Sequence, residues 1–405
     1  MKSKETGTYM KRNRTIAMLL ALALCAALLC AGCAGKKVLA ATVGDREITV
    51  YQLQTAYQNQ AYYYSLYGMP IETKEDAEMM QDYILESYIQ ELVKAYEAEQ
   101  AGIELTQDEK AEAKKTAAET YESYYQSFVT AAENSGAAEP DVYANTILTD
   151  ELLAEGSSVA EKKKLFLQDA EDSLRVAKHK EQLLADVTYS EDELKAKFDE
   201  ELAAQKTAID ADKFAYENYL SSTPYGALYA PEGIVRVRQI LVADEATANE
   251  VLDKLNAGAD FEALLTEYNT DSGMSSYPSG YYVYDGAAFV EPFLNAALAL
   301  ASDGDVSEAV QSEYGYHIIK RVGSVTPGEL TYENVKDTFD EYWNTKLQDE
   351  TYQSIVDGWL AEAPITRYPE NYRTVGGADA LPTATPAAEP TAAPETAAET
   401  EGDAE

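Results

Sequence analysis

The chain has 405 residues, 32 of them basic and 71 acidic, for a net charge of −39 at neutral pH. A surface this acidic repels nucleic acid and anionic lipid headgroups, so neither is expected as a direct partner. Its three cysteines are Cys25, Cys30 and Cys33 and its two histidines are His179 and His317, so beyond the amino terminus no thiol nucleophile, disulfide, zinc-hydrolase ligand pair, metal site or cofactor is expected.

The amino terminus sets the expected compartment. Lys11, Arg12 and Arg14 precede an uncharged apolar run at 16–29, which ends in Ala31-Gly32-Cys33. A basic region, a short apolar stretch and small residues make a secretory signal, too short to span a bilayer. Ala-Gly-Cys at this point resembles a lipobox. The resemblance implies that residues 1–32 are removed and Cys33 is lipidated, anchoring the chain to the extracytoplasmic face of the cell membrane by several acyl chains.

Gly44-Asp45 within 41–49 reads as the turn of a short hairpin. Thr49-x-x-Gln52 reads as a capping box that opens a helix. Met80, Ile84, Tyr88, Leu92 and Tyr96 make one apolar stripe over 73–100, which predicts a second helix, ended by Gly102. Thr106-x-x-Glu109 caps the next, and further helices are predicted over 141–155 and 157–185. Ser190-x-x-Glu193 caps one more, reaching about residue 222. Tyrosines are frequent here, as in Tyr62-Tyr63-Tyr64 and Tyr121, Tyr124 and Tyr125. Helical spacing predicts that most of them pack between helices with their hydroxyls at the rim; the alternative is a cradle whose amphipathic rings hold unfolded segments. His179, among Lys178, Lys180 and Glu181, is expected on a solvated face.

Pro224, Gly226, Pro231 and Gly233 break the pattern and mark a boundary. The texture then changes to short strands and short helices. A strand at 234–242 sets Val235, Val237 and Gln239 on one face and Arg236, Arg238 and Ile240 on the other. Helices follow at 246–255, 261–268 and 292–300, with a Ser-Gly-Pro loop at 272–280 and a closing strand at 316–322. After Pro327 the long-helix texture returns over 332–363 until Pro364 stops it. From 373 to the end the chain is an acidic Thr/Ala/Pro-rich tail expected to be disordered.

Val-Arg-Val-Arg-Gln-Ile-Leu-Val at 235–242 resembles the first strand of the parvulin peptidyl-prolyl isomerase family. Asn256-Ala-Gly-Ala-Asp-Phe261, Tyr268-Asn-Thr-Asp-Ser272, Phe289-Val-Glu-Pro-Phe293, Gly304-Asp-Val-Ser307 and Tyr314-Gly-Tyr-His-Ile-Ile319 match further family motifs in order. The resemblance implies that Asp271 lies beside the reacting amide and that His317 is a central histidine. It also implies that Ser312 bonds near that ring and that Tyr281, Phe289 and Phe293 wall the proline pocket. Gln239 stands where the family usually has a second histidine; glutamine can both donate and accept. The stretch Pro278-Ser-Gly-Tyr-Tyr282 replaces a glycine-rich one and carries one extra residue before it. Arg236 and Arg238 are expected to be solvated.

The flanks resemble PrsA- and SurA-type foldases: the hairpin and helix near 43–57, the long helix after Tyr332 and the Ile365-Thr-Arg-Tyr368 tail. The expected fold is therefore α+β. A parvulin-like unit at 231–324 would be inserted in a mainly helical chaperone domain made of 33–230 and 325–372. The implied activity is isomerisation of X-Pro bonds in unfolded or newly exported polypeptides, with chaperone binding of the same clients. Two alternatives stand beside it: a holdase whose parvulin unit no longer turns over, and a surface adhesin or substrate-binding lipoprotein.

Overall fold

The computed structural model describes residues 37–375. The expected signal and the expected lipidation site Cys33 lie outside the described residues, as does the tail beyond Val375. Val375 itself is buried in a core, which corrects the expectation that disorder begins at 373. The described residues pack as two compact units, one holding those up to Ala185 and from Thr351 to Val375, the other Asp186–Glu350. The fold class is the one the sequence predicts: a small α+β unit set between segments of a mainly helical body. Among the described residues, no helix is long and apolar enough to cross a membrane.

In the first unit, β1 (Leu39–Val43) and β2 (Arg46–Thr49) form the hairpin around Gly44-Asp45. Gly44 has φ +60°, and a Cβ there would come within 2.9 Å of the Tyr96 ring, so glycine is required twice over. Five helices follow: α1 (Val50–Leu66), α2 (Lys74–Gln100), α3 (Gln107–Asn134), α4 (Pro140–Glu155) and α5 (Val159–Leu184). Thr49 and Thr106 form reciprocal capping boxes with Gln52 and Glu109, each contributing about 1 kcal/mol. Leu53, Leu85, Ile89 and Val93 pack beneath the hairpin. Phe128, Leu148 and Leu152 join α3 to α4.

His179 is not solvated. It is only 8 % exposed, and its ring stacks on Trp359 with centroids 5.3 Å apart at 16°. The neighbours that suggested a polar face are engaged as well: Lys178 bonds the Glu104 carbonyl and Glu109, and Lys180 lies over Tyr352, a ring in contact with Trp359. His179 instead shares the inward stripe with Asp172, seven residues earlier, which meets the buried Arg46. Tyr63 and Tyr64 also depart from expectation, since both are exposed, whereas Tyr124 and Tyr125 do pack against the α3–α4 core.

In the second unit, the helix capped by Ser190 stops early. Asp212 takes extended φ/ψ and its carboxylate accepts from the Phe214 N–H, which divides the segment into α6 (Glu191–Ala211) and α7 (Phe214–Ser222). β3 (Tyr229–Ala230) later pairs with β8 (Gly328–Glu329). The main sheet is antiparallel in the order β5-β4-β7-β6, from β4 (Val235–Val242), β5 (Tyr281–Val283), β6 (Val310–Ser312) and β7 (Gly315–Ser324). Around it lie α8 (Glu245–Asn256), α9 (Phe261–Tyr268) and α10 (Glu291–Ala299). The alternation read in β4 holds: Val235 and Val237 pack against Phe293 on one face, while Ile240 and Val242 pack against Val251 and Phe261 on the other. Arg238 is not simply solvated, because it forms an ion pair with Glu262 at 2.8 Å. The predicted long helix is α11 (Tyr332–Glu362); after it, in the first unit, β9 (Ile365–Arg367) adds to β1 and is followed by α12 (Pro369–Tyr372).

Candidate functional site

Strand register builds the centre of the site. Leu241 stands opposite His317 in the β4–β7 ladder and Gln239 stands opposite Ile319, so Gln239 and His317 are diagonal neighbours on one face. Gln239 Oε1 lies 2.6 Å from His317 Nδ1. Gln239 Nε2 donates to Asp271 Oδ2 at 2.7 Å. On the far side of the ring, Ser312 Oγ lies 2.6 Å from His317 Nε2, while that same Oγ accepts from the Tyr314 N–H at 3.0 Å.

These contacts fix the proton positions by elimination. The Gln239 carbonyl can only accept, so Nδ1 of His317 carries the proton. Nε2 of a neutral imidazole then accepts from the Ser312 hydroxyl. Burial pushes the His317 pKa down, an effect partly opposed by the nearby Asp271 charge, so the neutral ring prevails at physiological pH. The reversed amide would set its carbonyl against the Asp271 carboxylate, two acceptors face to face. Every donor therefore points one way, from Ser312 through His317 and Gln239 to Asp271.

Asp271 is placed by local structure as well. It caps a 3₁₀ turn at Ser272–Ser276, with Oδ1 accepting from the Gly273 N–H at 2.9 Å, where sequence had suggested only loop. Asn269 ties this turn to the sheet. Its Oδ1 accepts from the N–H groups of Leu241 and Asp271, and its Nδ2 donates to the Asp271 carbonyl. Tyr281 donates its hydroxyl to Asp271 Oδ2 at 2.8 Å.

A run of rings leads away from this network. Successive centroid separations are 4.8 Å from Tyr277 to Tyr281, 5.5 Å on to Phe289, 5.0 Å on to Phe293 and 5.4 Å on to His317. Phe293 is buried at the base, and Phe289 and Tyr281 are half-buried. The structure thus brings Gln239, Asp271, Ser312, His317, Tyr281, Phe289 and Phe293 into one constellation. Sequence reading had singled out neither Asn269, Gly273 nor Tyr277. For Asn269 a signal was present, an asparagine closing a helix two residues before an Asp-Ser turn.

Known proteins resemble both halves of the chain. The family profile described as the PPIC-type PPIASE domain matches residues 225–337, and that of the SurA-like N-terminal domain matches residues 10–132. Foldase protein PrsA 3 of Bacillus anthracis is 36% identical over 183 residues, 44% of this chain and 59% of the relative. Foldase protein PrsA of Bacillus subtilis is 39% identical over 140 residues, 33% of this chain and 44% of the relative. The chain spans about half the length of the curated relatives it matches. The crystal structure of PrsA from Bacillus subtilis aligns with 81% of this chain and 92% of its own, at 20% identity and a TM-score of 0.25.

Proposed function

We propose that this chain, which combines a PPIC-type PPIase domain with a SurA-like N-terminal domain, is an extracytoplasmic foldase that isomerises X-Pro bonds in exported polypeptides and holds those polypeptides while they fold. The observation that carries the reading is the one-directional chain Ser312–His317–Gln239–Asp271 set against a wall of aromatic rings.

The reaction needs little else. Rotation about an X-Pro bond breaks no covalent bond; it must overcome a barrier of about 18–20 kcal/mol from amide resonance. In this reading Phe289, Phe293 and the ring of Tyr281 take the proline ring out of water. Asp271 stands beside the amide, held in place before substrate arrives. Polar groups already fixed in position favour the twisted amide over the planar one without having to reorganise. His317, with Ser312 and Gln239 on its two nitrogens, keeps that arrangement rigid. The isomerase unit proper is assigned to 231–324 and the chaperone segments to 33–230 and 325–372.

Client holding is supported by a separate feature of the first unit. Tyr64, Leu66, Tyr67 and Met69 at the end of α1 and beyond it, with Met79 and Tyr83 on α2, leave large apolar groups exposed, Tyr67 at 75 % and Tyr83 at 73 %. Tyr64, Met69, Met79 and Tyr83 line one groove; exposed apolar surface of this kind marks an interaction site, and methionine with tyrosine suits varied partners. Lipidation of Cys33 would keep this activity at the outer face of the membrane, where unfolded exported chains emerge.

The test is cis–trans isomerisation of Ala-Xaa-Pro-Phe peptides by protein beginning after Cys33, beside Asp271→Ala. Turnover that falls at least tenfold in the variant is expected. Wild-type rates no higher than the uncatalysed background, with aggregation of an unfolded client still suppressed, would leave a holdase without isomerase activity.

A further inference from the structure

Three donors converge on the Asp271 carboxylate. Gln239 Nε2 and the Tyr281 hydroxyl share Oδ2, at 2.7 and 2.8 Å, and the Gly273 N–H takes Oδ1 at 2.9 Å. The amide and the backbone N–H belong to the network and to the turn. The phenol is different, because it arrives from β5, where a purely apolar side chain would line the pocket equally well.

We propose that Tyr281 is a positioning residue: its ring forms the pocket wall while its hydroxyl orients the Asp271 carboxylate toward the reacting amide. The inference rests on the isomerase reading of this site and adds a role to it. Burial first, and then the bond to Asp271, push the Tyr281 pKa upward, so the phenol remains a donor. Tyr277 packs on the ring at 4.8 Å and Phe289 at 5.5 Å, which limits how far it can swing. A proline held against this ring is therefore linked through a single side chain to the carboxylate beside it.

Gly273 gives independent support. A Cβ at this position would lie 2.7 Å from the Tyr281 hydroxyl and 3.1 Å from Asp271 Oδ1. The turn thus leaves room for one specific contact, the meeting of phenol and carboxylate. Its backbone φ does not demand glycine, so the space is the reason that a side chain is absent.

The two residues allow the contact to be broken from either side. Tyr281→Phe keeps the wall and removes the donor; Gly273→Ala keeps the donor and displaces it. A hydrogen bond to a charged group corresponds to about tenfold or more in an equilibrium. Each variant is expected to lower kcat about tenfold with KM within twofold of wild type, in protein whose thermal unfolding stays cooperative and lies above the assay temperature. The double variant should be no slower than either single one, since both remove the same contact. A phenol that merely satisfies its own hydroxyl would leave kcat where it is. Wild-type turnover with an unaltered kcat in Tyr281→Phe, or with KM alone raised, would overturn this role while leaving the isomerase reading intact. Multiplicative losses in the double variant would overturn it too. A wild-type chain without turnover would remove the isomerase reading and this role together.

Discussion

His317 orients the side-chain amide of Gln239. With Oε1 held 2.6 Å from Nδ1 of the ring, the amide nitrogen has one place to go, and it meets Asp271. Gln239→Leu keeps the size of this buried side chain but leaves the Nδ1–H without an acceptor. It is expected to lower stability by about 1–3 kcal/mol and kcat by about tenfold. Gln239→Glu restores an acceptor for Nδ1 yet sets a second carboxylate against Asp271, so it should be slower than Gln239→Leu. Measured beside urea unfolding curves, equal rates for the two variants would show that the added carboxylate is without effect, and a wild-type rate in Gln239→Leu would show that donation to Asp271 is irrelevant.

The same ring predicts a pH dependence of stability. Burial lowers the His317 pKa below its ordinary 6.5, with Asp271 opposing in part. The unfolded chain then takes up the proton more readily than the folded one. Stability is therefore fully present above about pH 6.5 and lost as pH falls toward the lower folded value. Burial lowers the His179 pKa as well, so it contributes in the same direction. Urea midpoints at pH 7.5 and 5.5 should differ, and the difference should shrink in His317→Gln. An unchanged difference would assign the whole effect to other groups.

The exposed apolar surface of α1 and α2 predicts a separation of activities. Tyr67→Ser combined with Met79→Ser removes apolar groups that are 75 % and 65 % exposed among the described residues, so the melting temperature should move little. Suppression of client aggregation should fall while peptide isomerisation is unchanged. Holding that survives both substitutions would place the client elsewhere.

The carboxyl-terminal segment of the first unit predicts a contrast in stability. β9 pairs with β1, Asn371 donates to the Leu39 carbonyl, and the fully buried Gln81 donates to the Val375 carbonyl at 2.7 Å. Tyr372 and Val375 fill the core there. Ending the chain after Glu362 should abolish cooperative unfolding of this unit. Arg367→Ala removes only a half-exposed ion pair with Glu86 and should cost less than about 1 kcal/mol. Calorimetry distinguishes the two, and a truncated chain with a wild-type melting profile would contradict the packing argument.

Features set within a few residues were legible in the sequence. The Thr49–Gln52, Thr106–Glu109 and Ser190–Glu193 caps formed as spaced, because each partner lies three residues away and needs only its own helix. The apolar alternation of β4 survived for a similar reason: a strand sends successive side chains to opposite faces whatever it later pairs with. Motif resemblance supplied the names of the residues at the site.

Only the tertiary structure decided how those residues meet. Gln239 lies 32 residues from Asp271 and 78 from His317, so whether it bridges them depends on the register of β4 against β7 and on a turn that Asn269 pins to the sheet. The Tyr281 hydroxyl finds Asp271 only because β5 pairs with β4 at that register. His179 read as solvated because its neighbours in sequence are charged, yet α11 supplied Trp359, and helix geometry turned His179 toward that ring while Lys178 reached Glu104 and Glu109. Local pattern specifies which side chains share a face; what that face meets is set by contacts between residues far apart in the chain, and those exist only once the chain has folded.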